Sequence, residues 1–194
     1  MATNAVLVKT GTQHVFADHA TDFTGGTAKT SMEVSAGASD VQIDCTSLAD
    51  TAGRESAKLD LGAVRAPRYS FMAAIEFAAT PTVGEVVEFY WAPSPISTAA
   101  NGNPNEIDGA DAAAPSGIGT LAELVKMCQF IGAMVVTNDT TGSVQTAIVN
   151  SAFVPAERYG ILIVKNESGA AFHSAMAETH YSLTEIIDDI AAAA

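Results

Sequence analysis

Hydrophobic and polar residues alternate with a period of two along much of the chain, most clearly over residues 68–77. Five apolar residues occupy every second position: Tyr69, Phe71, Ala73, Ile75 and Phe77. The residues that alternate with them are Arg68, Ser70, Met72, Ala74 and Glu76. Successive side chains of a β-strand point to opposite faces, whereas a helix would mix the two sets. The pattern therefore predicts a strand with one buried face.

The same alternation resumes at residues 85–91, after Pro81 and Gly84 interrupt the chain. Pro and Gly between two alternating segments are typical of a turn. We therefore predict a hairpin of two core strands. The side chains expected to be buried in it are Tyr69, Phe71, Ile75, Phe77, Val87, Phe89 and Trp91.

Shorter segments of strand character, bounded by Gly, Ser, Asp or Thr, occur along the rest of the chain. They are residues 5–9, 31–35, 41–45, 58–61, 133–137, 144–153, 159–165 and 171–183. One helix is predicted over residues 120–131, because Thr120 and Glu123 have the spacing of a capping box. The predicted fold is all-β: a single jelly-roll-like β-sandwich domain over residues 1–194, with one short helix and a long inserted loop.

The predicted loop, residues 92–119, is rich in Pro, Asn, Gly, Ala and Ser. Connections in compact domains are mostly about 4 to 6 residues, so a loop of this length indicates a functional or interaction segment. Because it has few large side chains, we expect it to gain little by packing on its own domain. We predict that it contacts neighbouring subunits, together with an N-terminal arm at residues 1–30. The candidate interface residues are Asn101, Asn103, Asn105, Asp108 and Asp111.

Charge and hydropathy exclude two classes of partner. The chain has 9 Lys and Arg against 22 Asp and Glu, a formal net charge of −13. This negative field opposes binding to a phosphate backbone, so no nucleic-acid partner is expected. No run approaches the roughly 20 apolar residues that span a bilayer, so no membrane partner is expected. The N-terminus does not read as a secretory signal, which favours synthesis in the cytoplasm.

The cysteines and histidines have none of the spacings typical of a metal site. Cys45 and Cys128 are far apart and are predicted to be free thiols. The histidines lack a signature such as H-E-x-x-H, so ordinary structural or surface histidines are the better interpretation. The four are His14, His19, His173 and His180.

Two further patterns bear on a bound ion or sugar. Residues 108–111 resemble the start of a calcium loop, but the twelfth position is Gly119 rather than Glu, so a turn is favoured. Tyr90 and Trp91 could stack on a sugar, but aromatic residues at strand spacing are more often part of a core. No metal, no cofactor and no catalytic residues are expected, and the chain is predicted not to be an enzyme.

Five segments carry a family resemblance. Their sequences are EFYWAPS at 88–94, NGNP at 101–104, DGADA at 108–112, FIGAMVV at 130–136 and FVPAERYG at 153–160. In order and composition, residues 68–183 resemble small virion proteins of tailed bacteriophages. The resemblance implies a structural protein that decorates or cements the head, with no catalytic residues.

The function expected from this resemblance is that of a capsid decoration protein. It would be made in the host bacterial cytoplasm, lie on the capsid exterior, and bind the major capsid protein and copies of itself as a homo-oligomer. One alternative is a receptor- or glycan-binding module on the virion, which an exposed aromatic platform would favour. Others are a neck or tail structural protein and an enzyme, for which His173 or His180 would converge with Asp residues in a deep pocket.

Overall fold

Two β-sheets packed against each other form the fold of the computed structural model, which describes residues 6–18, 39–137, 144–174 and 179–190. The strands in these ranges are β1 (Val6–Ala17), β2 (Ser39–Gln42), β3 (Gly53–Glu55), β4 (Leu59–Asp60), β5 (Arg68–Glu76), β6 (Val86–Ser94), β7 (Ala112–Ala114), β8 (Gln129–Val135), β9 (Val144–Phe153), β10 (Tyr159–Glu167) and β11 (His180–Ile190). Helix α1 is Leu121–Leu124, and 3-10 turns lie at Pro104–Glu106 and Val125–Met127.

The order of the strands identifies the type of sandwich. One sheet has the order β2-β1-β11-β5-β9 and the other β7-β3-β10-β6-β8, with β4 paired to β10. The pairs β1–β11, β3–β10, β5–β9 and β6–β8 are all antiparallel, so early strands pair with late ones in reverse order. A chain that doubles back in this way and rolls into two sheets is a jelly roll. The predicted all-β, jelly-roll-like sandwich is confirmed.

Aromatic side chains from both sheets fill the space between them. The ring centroids of Phe71 on β5 and Phe89 on β6 are 5.1 Å apart, and Tyr181 of β11 contacts both rings. All seven residues predicted to be buried are at most 2% exposed, which confirms the predicted faces of β5 and β6. Burial of each such side chain contributes roughly 1.5 to 3 kcal/mol, so this layer anchors the fold.

The predicted hairpin of β5 and β6 is wrong, because the two strands belong to different sheets. β5 pairs with β11 and β9, whereas β6 pairs with β10 and β8. The connection between them crosses from one sheet to the other: Ala78 donates to the carbonyl of Ala171, and Thr82 to that of Ser168. Alternation shows which face of a strand is buried but not which strand pairs with it. Two strands that face each other across a core therefore show the same pattern as the two strands of a hairpin.

The helix predicted over residues 120–131 begins correctly and ends early. The capping box is present: Thr120 Oγ1 accepts from the Glu123 backbone N–H, and the Glu123 carboxylate accepts from that of Thr120. The helix ends at Leu124 and gives way to a 3-10 turn. Residues 129–131 belong to β8, where Phe130 lies opposite Tyr90 of β6. Pairing with β6 prevails over local helix propensity here.

Other predicted boundaries differ from those observed. The strand predicted over 5–9 runs on to Ala17 as β1, inside the segment predicted as an N-terminal arm; residues 1–5 and 19–30 lie outside the described residues. The strand predicted at 31–35 also lies outside them. Within the strand predicted at 171–183, Phe172 forms an isolated bridge with Phe77 and β11 begins at His180.

Candidate functional site

The long loop folds over the outer face of the six-stranded sheet. Its Ile107 is fully buried in a second apolar cluster with Ala92, Leu124, Ile161 and Ile163. Within the loop, β7 also pairs antiparallel with β3. The expectation that this loop gains little by packing on its own domain is therefore wrong. One large side chain and a short strand attach the middle of the loop to the sheet.

Lys58 holds the first part of the loop. Its Nζ donates to the carbonyl oxygens of Ile96, Thr98 and Asn101, at 3.1, 2.7 and 2.9 Å, and lies 3.0 Å from Ser94 Oγ. Burial lowers the pKa of this ammonium group. Sequence analysis missed Lys58, because the acceptors are mostly main-chain atoms that the residue types do not reveal.

Asp111 holds the end of the loop. Its Oδ1 atom lies 2.6 Å from the Arg54 guanidinium on β3, and its carboxylate accepts from the backbone N–H of Asp44 at 3.0 Å. The carboxylate is also 3.4 Å from the amide nitrogen of Gln42 on β2. Asp111 therefore joins the loop to strands of both sheets, so its side chain is engaged in contacts within its own chain.

The other four candidate interface residues divide into internal and surface positions. The Asn103 amide donates to the carbonyls of Ala99 and Ile107 and so stabilises the loop itself. Asn101 and Asp108 are exposed, and Asp108 Oδ1 accepts from the backbone N–H two residues on. Asn105 borders a shallow surface pocket. Its other lining residues are Ile118, Gly119, Glu123 and Met127. The role of these residues in binding another chain stays a prediction.

A buried carboxyl lies near the loop on β3. Glu55 is fully buried and pairs with Ala112 of β7 in the strand register. Burial raises the pKa of Glu55 to about 7, and the nearby Asp108 carboxyl adds to the rise, whereas Ser116 opposes it. A carboxyl with this pKa is expected to change charge near neutral pH, next to the strand that attaches the loop.

One side of the sandwich is formed by strands that carry no charged residue. It consists of β8 and β9, the terminal strands of the two sheets, together with Val154, and is called here the β8–β9 side. The seven residues of β8 and the ten of β9 include no Asp, Glu, Lys or Arg. Four large apolar side chains on it are between 55% and 64% exposed: Phe130, Val135, Ile148 and Val154. Phe130 and Val135 lie on the outer face of the six-stranded sheet and Ile148 lies on the outer face of the five-stranded sheet, so both sheets expose apolar side chains at this side.

Amide side chains join the two sheets along the β8–β9 side. Asn150 Nδ2 donates to the carbonyl of Ile131 at 2.7 Å. Gln129 bonds the carbonyl of Val154 and the N–H of Ala156. Near the other end, Gln145 bonds both the N–H and the carbonyl of Thr137. These polar groups already have partners within the chain, so covering this side with another surface leaves them satisfied.

The opposite side of the sandwich differs in length and charge. There the terminal strands are β2, with four residues including Asp40, and β7, with three residues followed by Pro115. The Arg54–Asp111 ion pair also joins these edges. Short or charged edge strands are a usual protection against association, and β8 and β9 are longer and carry no charge.

The histidines and aromatic residues bear on the alternative functions. His14 is buried, and burial lowers its pKa; His180 is fully buried, and His173 Nδ1 lies 3.9 Å from the Glu76 carboxylate. His19 lies outside the described residues. Trp91 is fully buried, so its face is closed to a sugar. Within the described ranges, no three His, Cys, Asp or Glu side chains gather as a metal site would require.

Two further observations concern the thiols and the helices. Cys45 and Cys128 are free thiols, the first buried and the second half-buried. Burial raises the pKa of each to about 12. None of the helices in the described part of the chain is long and apolar enough to cross a bilayer.

Comparison with known proteins adds no relative: no protein-family model, curated protein or solved structure matches the chain. By its fold, the chain is a jelly-roll β-sandwich whose terminal strands at one side carry no charge.

Proposed function

We propose that this chain is a structural protein of a bacteriophage virion, of the type that decorates or cements the capsid. It acts through protein–protein contacts on the capsid exterior, with the major capsid protein and with copies of itself as partners. The observation that carries the proposal is a jelly roll in which the long terminal strands β8 and β9 carry no charge and expose large apolar side chains. Such a surface suits stable burial against another protein.

The fold and the sequence resemblance support the proposal in different ways. Viral capsid proteins and lectins both use jelly rolls, so the fold is compatible with either function and does not distinguish between them. The resemblance of residues 68–183 to virion proteins of tailed phages favours the first of these. Two of its segments, 88–94 and 130–136, fall largely on β6 and β8, which pair with each other and lead to the uncharged side.

A glycan-binding module on the virion is the second candidate. Phe130 is 55% exposed and its ring centroid is 5.2 Å from that of Tyr90 on the outer face of the six-stranded sheet. An aromatic pair at a surface can stack on the apolar face of a sugar ring. If this candidate is correct, sugars will shift the NMR signals of Phe130 and Tyr90, and Phe130→Ala will abolish the shifts.

Quantitative mass spectrometry of purified virions tests the proposed function. A decoration protein is expected in stoichiometric ratio to the major capsid protein, and purified chain should bind back to heads that lack it and raise their resistance to heat. A handful of copies per particle would instead indicate a neck or tail protein. Absence from purified virions, with the chain found only in the lysate, would overturn the proposal.

A further inference from the structure

We propose that Asn101 is a site of spontaneous covalent modification in the folded chain, and that the ammonium group of Lys58 promotes the reaction. The backbone nitrogen of Gly102 bonds to the side-chain amide carbon of Asn101, and the amide nitrogen leaves with the Gly102 proton as ammonia. Water then adds across one of the two carbon–nitrogen bonds of the resulting cyclic imide, which gives aspartate or isoaspartate. The inference goes beyond the proposed function and does not depend on it.

The two reacting groups are accessible. Asn101 is exposed, and among the described residues neither its side-chain amide nor the Gly102 N–H has a hydrogen-bond partner. Gly102 has a φ of +70°, and a Cβ atom at this position would lie 3.0 Å from the Ile96 side chain. The fold therefore favours glycine here, and glycine leaves its nitrogen sterically open to the Asn101 side chain.

The other asparagines in the described ranges lack this combination. Asn103 precedes Pro104, whose nitrogen carries no hydrogen. Asn150 and Asn166 donate their side-chain amides to main-chain carbonyls, which restrains both groups. Asn105 is followed by Glu rather than Gly, so a Cβ atom obstructs the neighbouring nitrogen. The Asn-Gly pair is therefore the one expected to react.

Lys58 contacts the peptide group that supplies the nucleophile. Its Nζ atom donates to the main-chain carbonyl oxygen of Asn101 at 2.9 Å, and this carbonyl belongs to the same peptide unit as the Gly102 nitrogen. Conjugation across the peptide bond spreads the charge of the deprotonated nitrogen onto that oxygen. A positively charged donor at the oxygen therefore stabilises the attacking anion, as fixed donors stabilise developing oxyanions in enzymes.

Lys58 also restrains the loop, and this effect opposes the first. Its Nζ atom donates to the carbonyls of Ile96 and Thr98, and a restrained backbone reaches the geometry of the cyclic imide less often. Loss of the ammonium group slows the reaction if its charge dominates and accelerates the reaction if its restraint dominates. We expect the charge to dominate, because the ammonium group contacts the reacting peptide unit itself, while the Asn101 side chain is exposed and free of such restraint.

Peptide mass spectrometry during incubation in mildly alkaline buffer measures the reaction, because replacing the amide by a carboxylate raises the peptide mass. In the folded wild type, the gain at Asn101 should be at least tenfold faster than at Asn150. Lys58→Gln, which keeps a neutral donor, should slow the gain at Asn101 at least threefold. The exposed Lys126→Gln is the matched control and should leave the rate unchanged. In urea, wild type and Lys58→Gln should react equally fast, since Lys58 reaches Asn101 only in the folded chain.

A folded wild type that gains no mass at Asn101 overturns the inference. A folded Lys58→Gln chain that reacts as fast as the wild type, or faster, does so as well. A difference between the two chains that persists in urea also overturns it, because the folded contact would not be its cause. Lys58→Met serves as the second neutral variant should Lys58→Gln unfold, judged by circular dichroism.

Discussion

At the scale of single residues, burial controls both packing and charge. Phe71 and Phe89 are fully buried from opposite sheets, and Glu55 is fully buried near the long loop. An apolar side chain stabilises the fold by leaving water, whereas a carboxyl in the same situation resists ionisation. A buried apolar side chain therefore adds stability at every pH, whereas a buried carboxyl does so only below its pKa.

Truncating either facing ring should destabilise the sandwich strongly. We expect Phe71→Ala or Phe89→Ala to lower the free energy of unfolding by about 3 to 5 kcal/mol, because each leaves a cavity between the sheets. Urea denaturation measures the change. The exposed Val83→Ala is the control and should stay within about 0.5 kcal/mol of the wild type. Unchanged unfolding of both Phe variants would contradict the assigned core.

Glu55 should make stability depend on pH. Its pKa in the folded chain is about 7, above the ordinary value of 4.5, so the folded state holds the proton more tightly than the unfolded chain. The stabilisation is complete below about pH 4.5 and is lost as pH rises through 7, with a change on the order of 3 kcal/mol.

Urea denaturation of wild type and Glu55→Gln at several pH values measures this effect. The difference between the two curves isolates Glu55 from other titrating groups such as His14. We expect Glu55→Gln to lose the decline between pH 5 and 8, and the exposed Glu106→Gln to retain it. A Glu55→Gln curve parallel to that of the wild type would show that Glu55 titrates equally in the folded and unfolded chain.

At the scale of elements, the long loop is a folded cover on the outer face of the six-stranded sheet. Ile107 supplies its apolar contact, Lys58 holds its first turns, and Asp111 holds its end. Each attachment reaches a part of the chain distant in sequence, 57 residues in the case of Arg54 and Asp111. Ordering a loop costs roughly 1 to 2 kcal/mol per residue of backbone entropy, and these contacts offset that cost.

Removing the Lys58 ammonium should loosen the loop. Lys58→Met keeps most of the aliphatic stem and removes the donor shared by three carbonyls, and hydrogen bonds to charged groups contribute about 1.5 to 3 kcal/mol. Hydrogen exchange followed by mass spectrometry should show faster exchange over residues 95–103 with little change in β10. The exposed Lys126→Met is the matched control. Equal protection of the loop in both variants would mean that other contacts hold it.

At the scale of the whole molecule, net charge and exposed apolar side chains act against each other. The net charge of −13 keeps copies apart, whereas the exposed apolar side chains of β8 and β9 are stabilised by burial against another surface. The balance between these terms depends on ionic strength, since salt screens the repulsion and leaves apolar contact largely intact.

Self-association should therefore strengthen with salt. The Debye length falls from about 30 Å at 0.01 M to about 10 Å at 0.1 M ionic strength. If copies of the chain bind each other as the proposed function requires, we expect the dissociation constant of that self-association to fall by at least severalfold over that range, measured by sedimentation equilibrium. Association that weakens with salt would indicate that ion pairs, rather than apolar contact, hold the copies together.

The amino-acid sequence by itself determined which side chains face the core. Alternation over residues 68–77 and 85–91 predicted seven buried residues, all of them buried in the structure. The capping box at Thr120 likewise predicted where α1 begins. These are local properties: the period of a strand and the geometry of a helix end depend on neighbouring residues alone.

Only the tertiary structure decided which strands pair and what the loop covers. β5 and β6 show the pattern of a hairpin yet lie in facing sheets, and residues 129–131 join β8 because β6 is beside them. The absence of charge in residues 129–135 and 144–153 is visible in the sequence, but the placement of both strands at one side of the sandwich is not. Strand pairing and burial involve segments that are distant in sequence. The local pattern of side chains does not specify which of these segments becomes the partner.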